Sequence, residues 1–172
     1  MLEDLIYVRD INDFESIKAK TLNAIDSMGI HPLVDPSSNI SNTDWHIKKD
    51  LARPYMDILA PCIDDHLNHM CEEFDYGRIS LRNYWFQQYM KGDWHAKHTH
   101  PDVSYSNVIF IELPEKEIST AFYIKRKQYK VNVSEGQILS FPGMLVHSSP
   151  INQSNKRKTS VVFNTYVDAQ RE

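Results

Sequence analysis

The sequence predicts a mainly β fold with N-terminal helices, an α+β arrangement in which two helices cover one sheet of an antiparallel sandwich or jelly roll. Two segments before Gly77 carry apolar residues at helical spacing. After Gly77 the chain changes to short runs rich in Val, Ile, Phe, Tyr and Thr, separated by Pro, Gly, Asn or charged residues. Helices followed by many short strands are typical of an antiparallel sheet that packs against helices.

The two helices have recognisable ends. Asn12 and Glu15 form the pattern of a capping box, so the first helix is expected to begin there and to end before Gly29. The second helix is expected to begin at Pro54, because proline is favourable in a first turn. Residues 30–53 are rich in Pro, Ser and Asn and are predicted to form a loop.

The strands are predicted from β-branched and aromatic runs. They lie near residues 79–90, 104–112, 120–125, 128–133, 136–141 and 158–168. A chain of 172 residues can bury one substantial core. We therefore expect a single domain over 1–172, with a helical N-terminal support over 1–77 and a jelly-roll core over 78–168.

Composition narrows the function classes. Hydrophobic content of 41% and charged content of 24% are ordinary for a globular protein, and a net charge of −4 makes nucleic acid an unlikely partner. The sequence contains neither a signal-peptide pattern nor an apolar stretch of membrane-spanning length. Cys62 and Cys71 lie nine residues apart on the predicted second helix and point to opposite sides. These features lead us to expect a reduced, cytoplasmic protein.

Residues that commonly bind metals are concentrated after the first long strand. His98, His100 and Asp102 alternate along a short segment, and His147 follows 49 residues beyond His98. Two close ligands and one distant ligand suit a facial iron site. A two-histidine, one-carboxylate face leaves positions on Fe(II) open for a co-substrate and O2.

Other histidines are interpreted without a metal. His66 and His69 lie opposite Leu67 and Met70 on the second helix, so they are expected on its exposed polar face. For His95, two interpretations stay open, a position lining a pocket and a position at the surface.

The order and spacing of these residues resemble the Fe(II)/2-oxoglutarate-dependent oxygenases of double-stranded β-helix fold. The resemblance covers about half of the chain, residues 80–168, and it is strongest to small hydroxylase-like proteins of phages and marine bacteria that carry a His-x-His-Pro motif. The matching pieces are Tyr89-x-x-Gly92-Asp93, His98-Thr-His100-Pro101, Phe141-Pro-Gly143, His147-Ser148, Asn152, Lys158-x-Ser160 and Phe163-Asn164.

The third iron ligand is open at this point. The family has an acidic residue two positions after its first histidine, but this chain has His100 there. One alternative is an all-histidine site of His98, His100 and His147, which the spacing from Tyr89 favours. The other is His100, Asp102 and His147, which ligand chemistry favours because a carboxylate neutralises part of the Fe(II) charge.

The resemblance also implies a co-substrate pocket on the last strand. In the family, a basic residue pairs with the distal carboxylate of 2-oxoglutarate, and a hydroxyl two residues later adds a hydrogen bond. By position and strand parity these residues would be Lys158 and Ser160. Arg157 is a rival for the basic position, because a guanidinium binds a carboxylate in a bidentate manner. Gln87 and Tyr89 stand where the family places further polar contacts.

The implied activity is that of a non-haem Fe(II), 2-oxoglutarate-dependent dioxygenase, most simply a hydroxylase. It would use O2, convert 2-oxoglutarate into succinate and CO2, and act on a small-molecule or peptidyl substrate. Two alternatives remain open, a cupin-like metal oxygenase that uses no 2-oxoglutarate and a non-enzymatic jelly-roll binding module.

The rim of the site is expected from the remaining loops. Residues 30–53 and 113–127 are predicted to surround the substrate, with Trp45, Trp94 and Tyr105 as contacts.

Overall fold

Strands dominate the fold. A computed structural model describes residues 2–48 and 50–170 of the chain. In these residues the helices are α1 (Phe14–Asp26) and α2 (Pro54–Glu73). The strands are β1 (Tyr7–Asp10), β2 (Leu33–Asp35), β3 (Ser38–Ile40), β4 (Asn42–Thr43), β5 (Tyr76–Tyr89), β6 (Trp94–His98), β7 (Tyr105–Glu112), β8 (Ala121–Ile124), β9 (Lys127–Lys130), β10 (Gln137–Pro142), β11 (His147–Ser149) and β12 (Lys158–Gln170). No helix of the described residues is both long enough and apolar enough to span a membrane.

The strands form two six-stranded sheets. The major sheet has the order β1-β10-β7-β12-β5-β4, and the minor sheet has the order β2-β3-β6-β11-β8-β9. The neighbouring strands pair antiparallel. This arrangement confirms the predicted mainly β jelly roll with two N-terminal helices. All six strand segments expected from the sequence are present, as β5, β7, β8, β9, β10 and β12.

The two faces of the major sheet bury different side chains. On its outer face, Phe86, Val161 and Phe163 pack in one cluster with α1 and α2. On its inner face, Trp85 and Val162 pack towards the minor sheet in a second cluster, which includes Phe110, Phe122, Leu139 and Phe141. Alternation along β5 and β12 therefore directs every second side chain between the sheets, where the site lies. Each buried side chain of this size contributes about 1.5–3 kcal/mol.

The start of α1 differs from the predicted capping box. Asp13, not Asn12, precedes the helix, has a left-handed backbone with φ of 52° and makes no capping hydrogen bond through its side chain. The first turn is closed instead by the Ser16 amide and hydroxyl, which both donate to the Asp13 carbonyl. The start of α2 at Pro54 is as predicted.

The prediction of a loop over residues 30–53 was wrong in part. β2 and β3 form a hairpin that joins β6, and β4 joins the edge of β5. These strands have two or three residues each, too few for their alternation to stand out in the sequence. Together with β1, they mean that the first 77 residues contribute strands to both sheets as well as two helices.

His66 is buried, which corrects the prediction of an exposed helix face. Its side chain is fully inaccessible, and Nε2 lies 2.7 Å from Ser140 Oγ on β10. Burial lowers the pKa of His66 to about 4. His69, three residues further along α2, remains exposed. The helix turns His66 but not His69 towards the sheet, a difference that polarity alone does not reveal.

Candidate active site

Three histidines converge between the two sheets. His98 on β6 and His147 on β11 are directly paired across the minor sheet, and their ring centroids are 4.3 Å apart. The ring of His100 lies 5.1 Å from each of them. One nitrogen from each of the three lies within 4.8 Å of the other two, a spacing that suits a shared metal ion. Strand pairing thus brings together His98 and His147, which lie 49 positions apart in the sequence.

Backbone carbonyls orient two of these rings. His98 Nδ1 lies 2.8 Å from Ala96 O, and His147 Nδ1 lies 2.8 Å from Leu145 O. A carbonyl oxygen only accepts, so Nδ1 carries the proton and Nε2 keeps its lone pair for a metal. Burial also lowers the pKa of His147 to about 3 and that of His100 to about 4. The imidazoles are therefore neutral at pH 7, as metal ligation requires.

His100 is held by the turn after β10. Its amide donates to Gly143 O at 2.7 Å, and Gly143 N donates to Ser104 O at 3.0 Å. Asp102 lies on the same segment, but its side chain is exposed, and the histidine cluster does not include it. The structure therefore brings together His98, His100 and His147, and leaves the alternative ligand Asp102 outside.

The Gly92-Asp93 pair fixes the turn that leads into β6. The Asp93 carboxylate accepts from Met90 N at 2.8 Å, Ser41 N at 2.9 Å and Asn39 Nδ2 at 3.0 Å. Gly92 has a φ of +92°, a left-handed conformation that favours glycine. The pair therefore helps to position β6, the strand that carries His98. The hydrogen bonds of Asp93 go to Met90, Ser41 and Asn39.

The inner pocket is the space between the histidines and the strands β5 and β12. Its volume is about 420 Å³, including space that is open to solvent. The residues that line it include Gln87, Tyr89, Ser106, His147, Ser149, Lys158 and Ser160.

Lys158 is the cation of the inner pocket. Its side chain is 3% exposed, and Nζ donates to Ile118 O at 2.7 Å, Ser119 O at 2.8 Å and Ser149 Oγ at 2.8 Å. The ammonium also lies 4.9 Å from the centre of the Tyr89 ring. No carboxylate of the described residues forms an ion pair with Lys158. These three contacts use all three N–H donors of the ammonium, so an anionic ligand would stabilise it through its charge or by replacing one of the acceptors.

The polar residues predicted around this cation line the same pocket. Ser160 is buried, and its Oγ has no hydrogen-bond partner in the described residues. Tyr89 OH donates to Gln87 Oε1 at 2.9 Å. Register places Lys158 opposite Tyr89 and Ser160 opposite Gln87, so the four side chains form adjacent rungs of one ladder.

Arg157 directly precedes β12 and makes its contacts outside the inner pocket. Its guanidinium donates to Glu112 Oε2 at 2.7 Å and to Asp26 Oδ1 at 3.1 Å, and these two carboxylates hold its pKa above the ordinary value despite partial burial. It does not line the inner pocket. Of the two basic residues predicted to bind the co-substrate, the structure brings only Lys158 to the histidines.

The outer pocket lies beside the histidines and is lined in part by the β2–β3 hairpin and by the loop after β4. Its volume is about 700 Å³, including space that is open to solvent. The lining includes Leu33, Asp35, Ser38, Trp45, Trp85, His95, His98 and His100. His95 lines both pockets, and its ring stacks on that of His98 at 4.1 Å.

Some rim residues were predicted and others were missed. Trp45 lines the outer pocket, whereas Trp94 lines neither pocket and Tyr105 is occupied elsewhere by a 2.6 Å hydrogen bond with Tyr76. Trp85 was not predicted as a rim residue. It lies two positions before Gln87 on β5, so its side chain is on the same face of the strand, and this spacing could have identified it. Asp35 lies within residues 30–53, which were predicted to belong to the rim, but it was not singled out as a contact.

The donor set fits iron and a dicarboxylate. Three neutral imidazoles with converging lone pairs suit Fe(II), and imidazole is a common iron ligand. The buried Lys158 and the unpartnered Ser160 hydroxyl are the groups that a distal carboxylate would engage. The set departs from a two-histidine, one-carboxylate face in having His100 where a carboxylate is usual.

Comparison with solved structures identifies the fold. No protein-family model and no curated protein matches the sequence. An oxidoreductase of the 2OG-Fe(II) oxygenase family from Burkholderia pseudomallei superposes with a TM-score of 0.76 at 13% identity, over 99% of this chain and 90% of that chain. The 2-oxoglutarate complex of a viral collagen prolyl hydroxylase from Paramecium Bursaria Chlorella virus-1 gives 0.66 at 14% identity, over 94% and 95%.

A third structure is similar in the same way. The prolyl hydroxylase of Trichoplax adhaerens, in complex with a peptide fragment of hypoxia inducible factor, gives a TM-score of 0.66 at 12% identity, over 95% of this chain and 84% of that chain. The chain therefore has the fold of the Fe(II)/2-oxoglutarate oxygenases, and the resemblance predicted from the sequence is confirmed for the fold.

Proposed function

We propose that this protein is a non-haem Fe(II), 2-oxoglutarate-dependent dioxygenase that hydroxylates its substrate. The observation that carries the proposal is the placement of a buried cation, Lys158, beside three converging histidines in one pocket. A metal site alone would suit many proteins. A metal site with a buried, carboxylate-free ammonium suits a co-substrate that chelates iron at one end and carries a carboxylate at the other.

Each residue has a proposed role. His98, His100 and His147 hold Fe(II) through Nε2 or the equivalent free nitrogen. Lys158 and Ser160 bind the distal carboxylate of 2-oxoglutarate. When bound, iron and 2-oxoglutarate supply the chemistry that activates O2, with succinate and CO2 as products.

The remaining inner-pocket residues orient these groups and exclude water. Tyr89 is 1% exposed, lies against the Lys158 ammonium and keeps Gln87 in place by hydrogen bonding. Ser149 Oγ, which also lines the pocket, accepts one hydrogen bond from the ammonium and helps to fix its position. A dry, oriented pocket strengthens a single cation–carboxylate contact, because interactions between charges are stronger at low dielectric.

The experiment is iron-dependent succinate formation from 2-oxoglutarate with a panel of small-molecule and peptidyl substrates. We expect succinate only with Fe(II), and thermal stabilisation by 2-oxoglutarate in the presence of metal. Iron retention without any 2-oxoglutarate turnover would instead favour a cupin-like oxygenase. Absence of both metal and 2-oxoglutarate binding would favour a binding module.

We also propose that the protein works in the cytoplasm on a small-molecule or peptidyl substrate. Cys62 and Cys71 are both free, as expected in a reducing compartment.

A further inference from the structure

The outer pocket has one acidic side and one aromatic side. Asp35 stands at the end of β2, in the hairpin that pairs with β6, and Trp45 stands on the loop that follows β4. His98 and His100 line the same pocket. Asp35 is the only residue of the described lining that is charged at neutral pH once the histidines are neutral. A ligand lying on the histidines would therefore have a carboxylate and an indole beside it.

The Asp35 carboxylate is fixed and anionic. Its Oδ1 accepts from both the amide and the hydroxyl of Ser37 at 2.7 Å, and these hydrogen bonds lower its pKa. No lysine or arginine of the described residues forms an ion pair with it. The carboxylate is exposed to solvent, and the hairpin turn holds it in place where a ligand can reach it.

Trp45 offers a supported aromatic face. It is 52% exposed, although tryptophan is usually well buried, and its ring packs edge-to-face on Trp85 at 4.5 Å. Trp85 is 4% exposed, and its ring lies 5.9 Å from that of His100. An exposed indole that packs on a buried one, in a pocket that also has a carboxylate in its lining, is suited to a cation, because both groups attract positive charge.

We infer that the outer pocket binds the cationic side chain of a basic substrate, of the arginine or lysine type, and presents one of its methylene groups to the histidines. This inference rests on the proposed function. In the reaction one oxygen atom of O2 enters a methylene C–H bond to give C–OH. The other oxygen atom enters succinate as 2-oxoglutarate loses CO2, so that the two electrons from the substrate and the two from 2-oxoglutarate reduce O2 completely.

The test uses two probes that differ in charge and little in shape, N-acetyl-arginine methylamide and N-acetyl-citrulline methylamide. Calorimetry would measure their affinity for the protein loaded with Fe(II) and 2-oxoglutarate under nitrogen. We expect the arginine probe to bind about tenfold more tightly, the size of effect that an exposed carboxylate and an indole together provide. Succinate should then form faster with the arginine probe once oxygen is admitted.

Single substitutions test whether Asp35 and Trp45 cause the preference for the arginine probe. Asp35→Asn keeps the hairpin, because an asparagine oxygen can accept the same backbone hydrogen bonds, but it should abolish the difference between the two probes. Trp45→Ala should weaken the arginine probe several-fold, and Trp45→Phe should restore part of the affinity. Asp64→Asn, an equal change in charge on the exposed side of α2, should leave the preference unchanged.

Equal affinities of the two probes, or no binding of either at millimolar concentration, would overturn the inference. A preference that survives Asp35→Asn would do the same. Titration of 2-oxoglutarate without any probe reports separately on the proposed function. If 2-oxoglutarate fails to bind, that function is wrong, while the arginine preference is still measurable on the metal-loaded protein alone.

Discussion

Gly143 and His100 are in direct backbone contact. The Gly143 carbonyl accepts the His100 amide at 2.7 Å, and a Cβ atom built on Gly143 would lie 2.4 Å from the His100 carbonyl oxygen. The same Cβ would lie 2.7 Å from Val103 O. Both neighbours are backbone atoms, so neither can rotate away. The absence of a side chain at position 143 therefore allows the turn after β10 to hold His100 beside His147.

Gly143→Ala should weaken iron binding. The added methyl must push the 100–103 segment away, and loss of support around a metal ligand typically costs about 10- to 100-fold in affinity. We expect the fold to persist with a stability loss of about 1–3 kcal/mol. Titration with Fe(II) and thermal unfolding measure both effects. Met144→Ala, which alters an exposed neighbour, is the control, and an iron affinity equal to the native value would contradict the role given to Gly143.

His147→Ala should lose bound Fe(II) and all activity while the fold persists. His147 is the only candidate ligand supplied by β11, and the metal-binding group found in the described residues contains only His98 and His100 besides it. Metal content by mass spectrometry, with circular dichroism alongside, tests this. His46→Ala removes an exposed histidine and should keep its iron. Normal iron occupancy of the His147 variant would refute the metal assignment.

The third ligand is decided by three single variants. If His98, His100 and His147 hold the iron, His98→Ala should lose it, and Asp102→Ala should be mild because that carboxylate is exposed. His100→Asp should keep or raise iron affinity, because it restores a carboxylate and its charge. Iron affinities of the three proteins give the answer. Full occupancy of His98→Ala together with loss in Asp102→Ala would reverse our choice.

Lys158→Ala should weaken 2-oxoglutarate binding far more than Arg157→Ala. Lys158 lines the inner pocket, whereas Arg157 lies outside it and forms ion pairs with Glu112 and Asp26. Loss of a charge-assisted hydrogen bond costs about 1.5–3 kcal/mol, which is roughly one to two decades in affinity. Calorimetric titration of 2-oxoglutarate into each metal-loaded variant measures the ranking, and the opposite order would show that the cation of the site has been misassigned.

The buried ammonium should also give a characteristic pH dependence. Burial lowers the pKa of Lys158 from 10.5 to about 7, so between these values the unfolded chain binds one proton more than the folded chain. The free energy of unfolding of the ligand-free protein should therefore rise with pH across this window, by up to about 1.4 kcal/mol per unit.

The affinity for 2-oxoglutarate should change in the opposite sense. The dianion requires the charged ammonium, so its affinity should fall as pH rises above about 7. Denaturant unfolding at pH 7 and pH 9, with Lys158→Met as the reference, separates this group from other titrations. Parallel pH profiles of the native and Lys158→Met proteins would show that Lys158 keeps its ordinary pKa when buried.

The sequence was most informative where local composition is strong. Six strands were predicted, because runs such as 158–168 combine β-branched and aromatic residues, and Pro54 marked the start of α2. Strand parity also separated Lys158 from Val161, which lie on opposite faces of β12 in the structure. These features depend on residues that are neighbours in the chain.

The strands that carry the histidines were not predicted. β6 and β11 contain His, Lys and Ser and have five and three residues, so neither has a β-like composition. They are strands because they pair with each other and with β3 and β8. The burial of His66 was missed for a related reason, since its partner Ser140 lies 74 residues away.

By itself, then, the sequence determined the mainly β class, the two helices and the residue types of a metal site, because periodicity and spacing are local properties. Only the tertiary structure placed His98, His100 and His147 in one cluster that omits Asp102, and placed Lys158 rather than Arg157 in the inner pocket. It did so because both choices depend on which side chains cross-strand register turns towards the shared space between the two sheets.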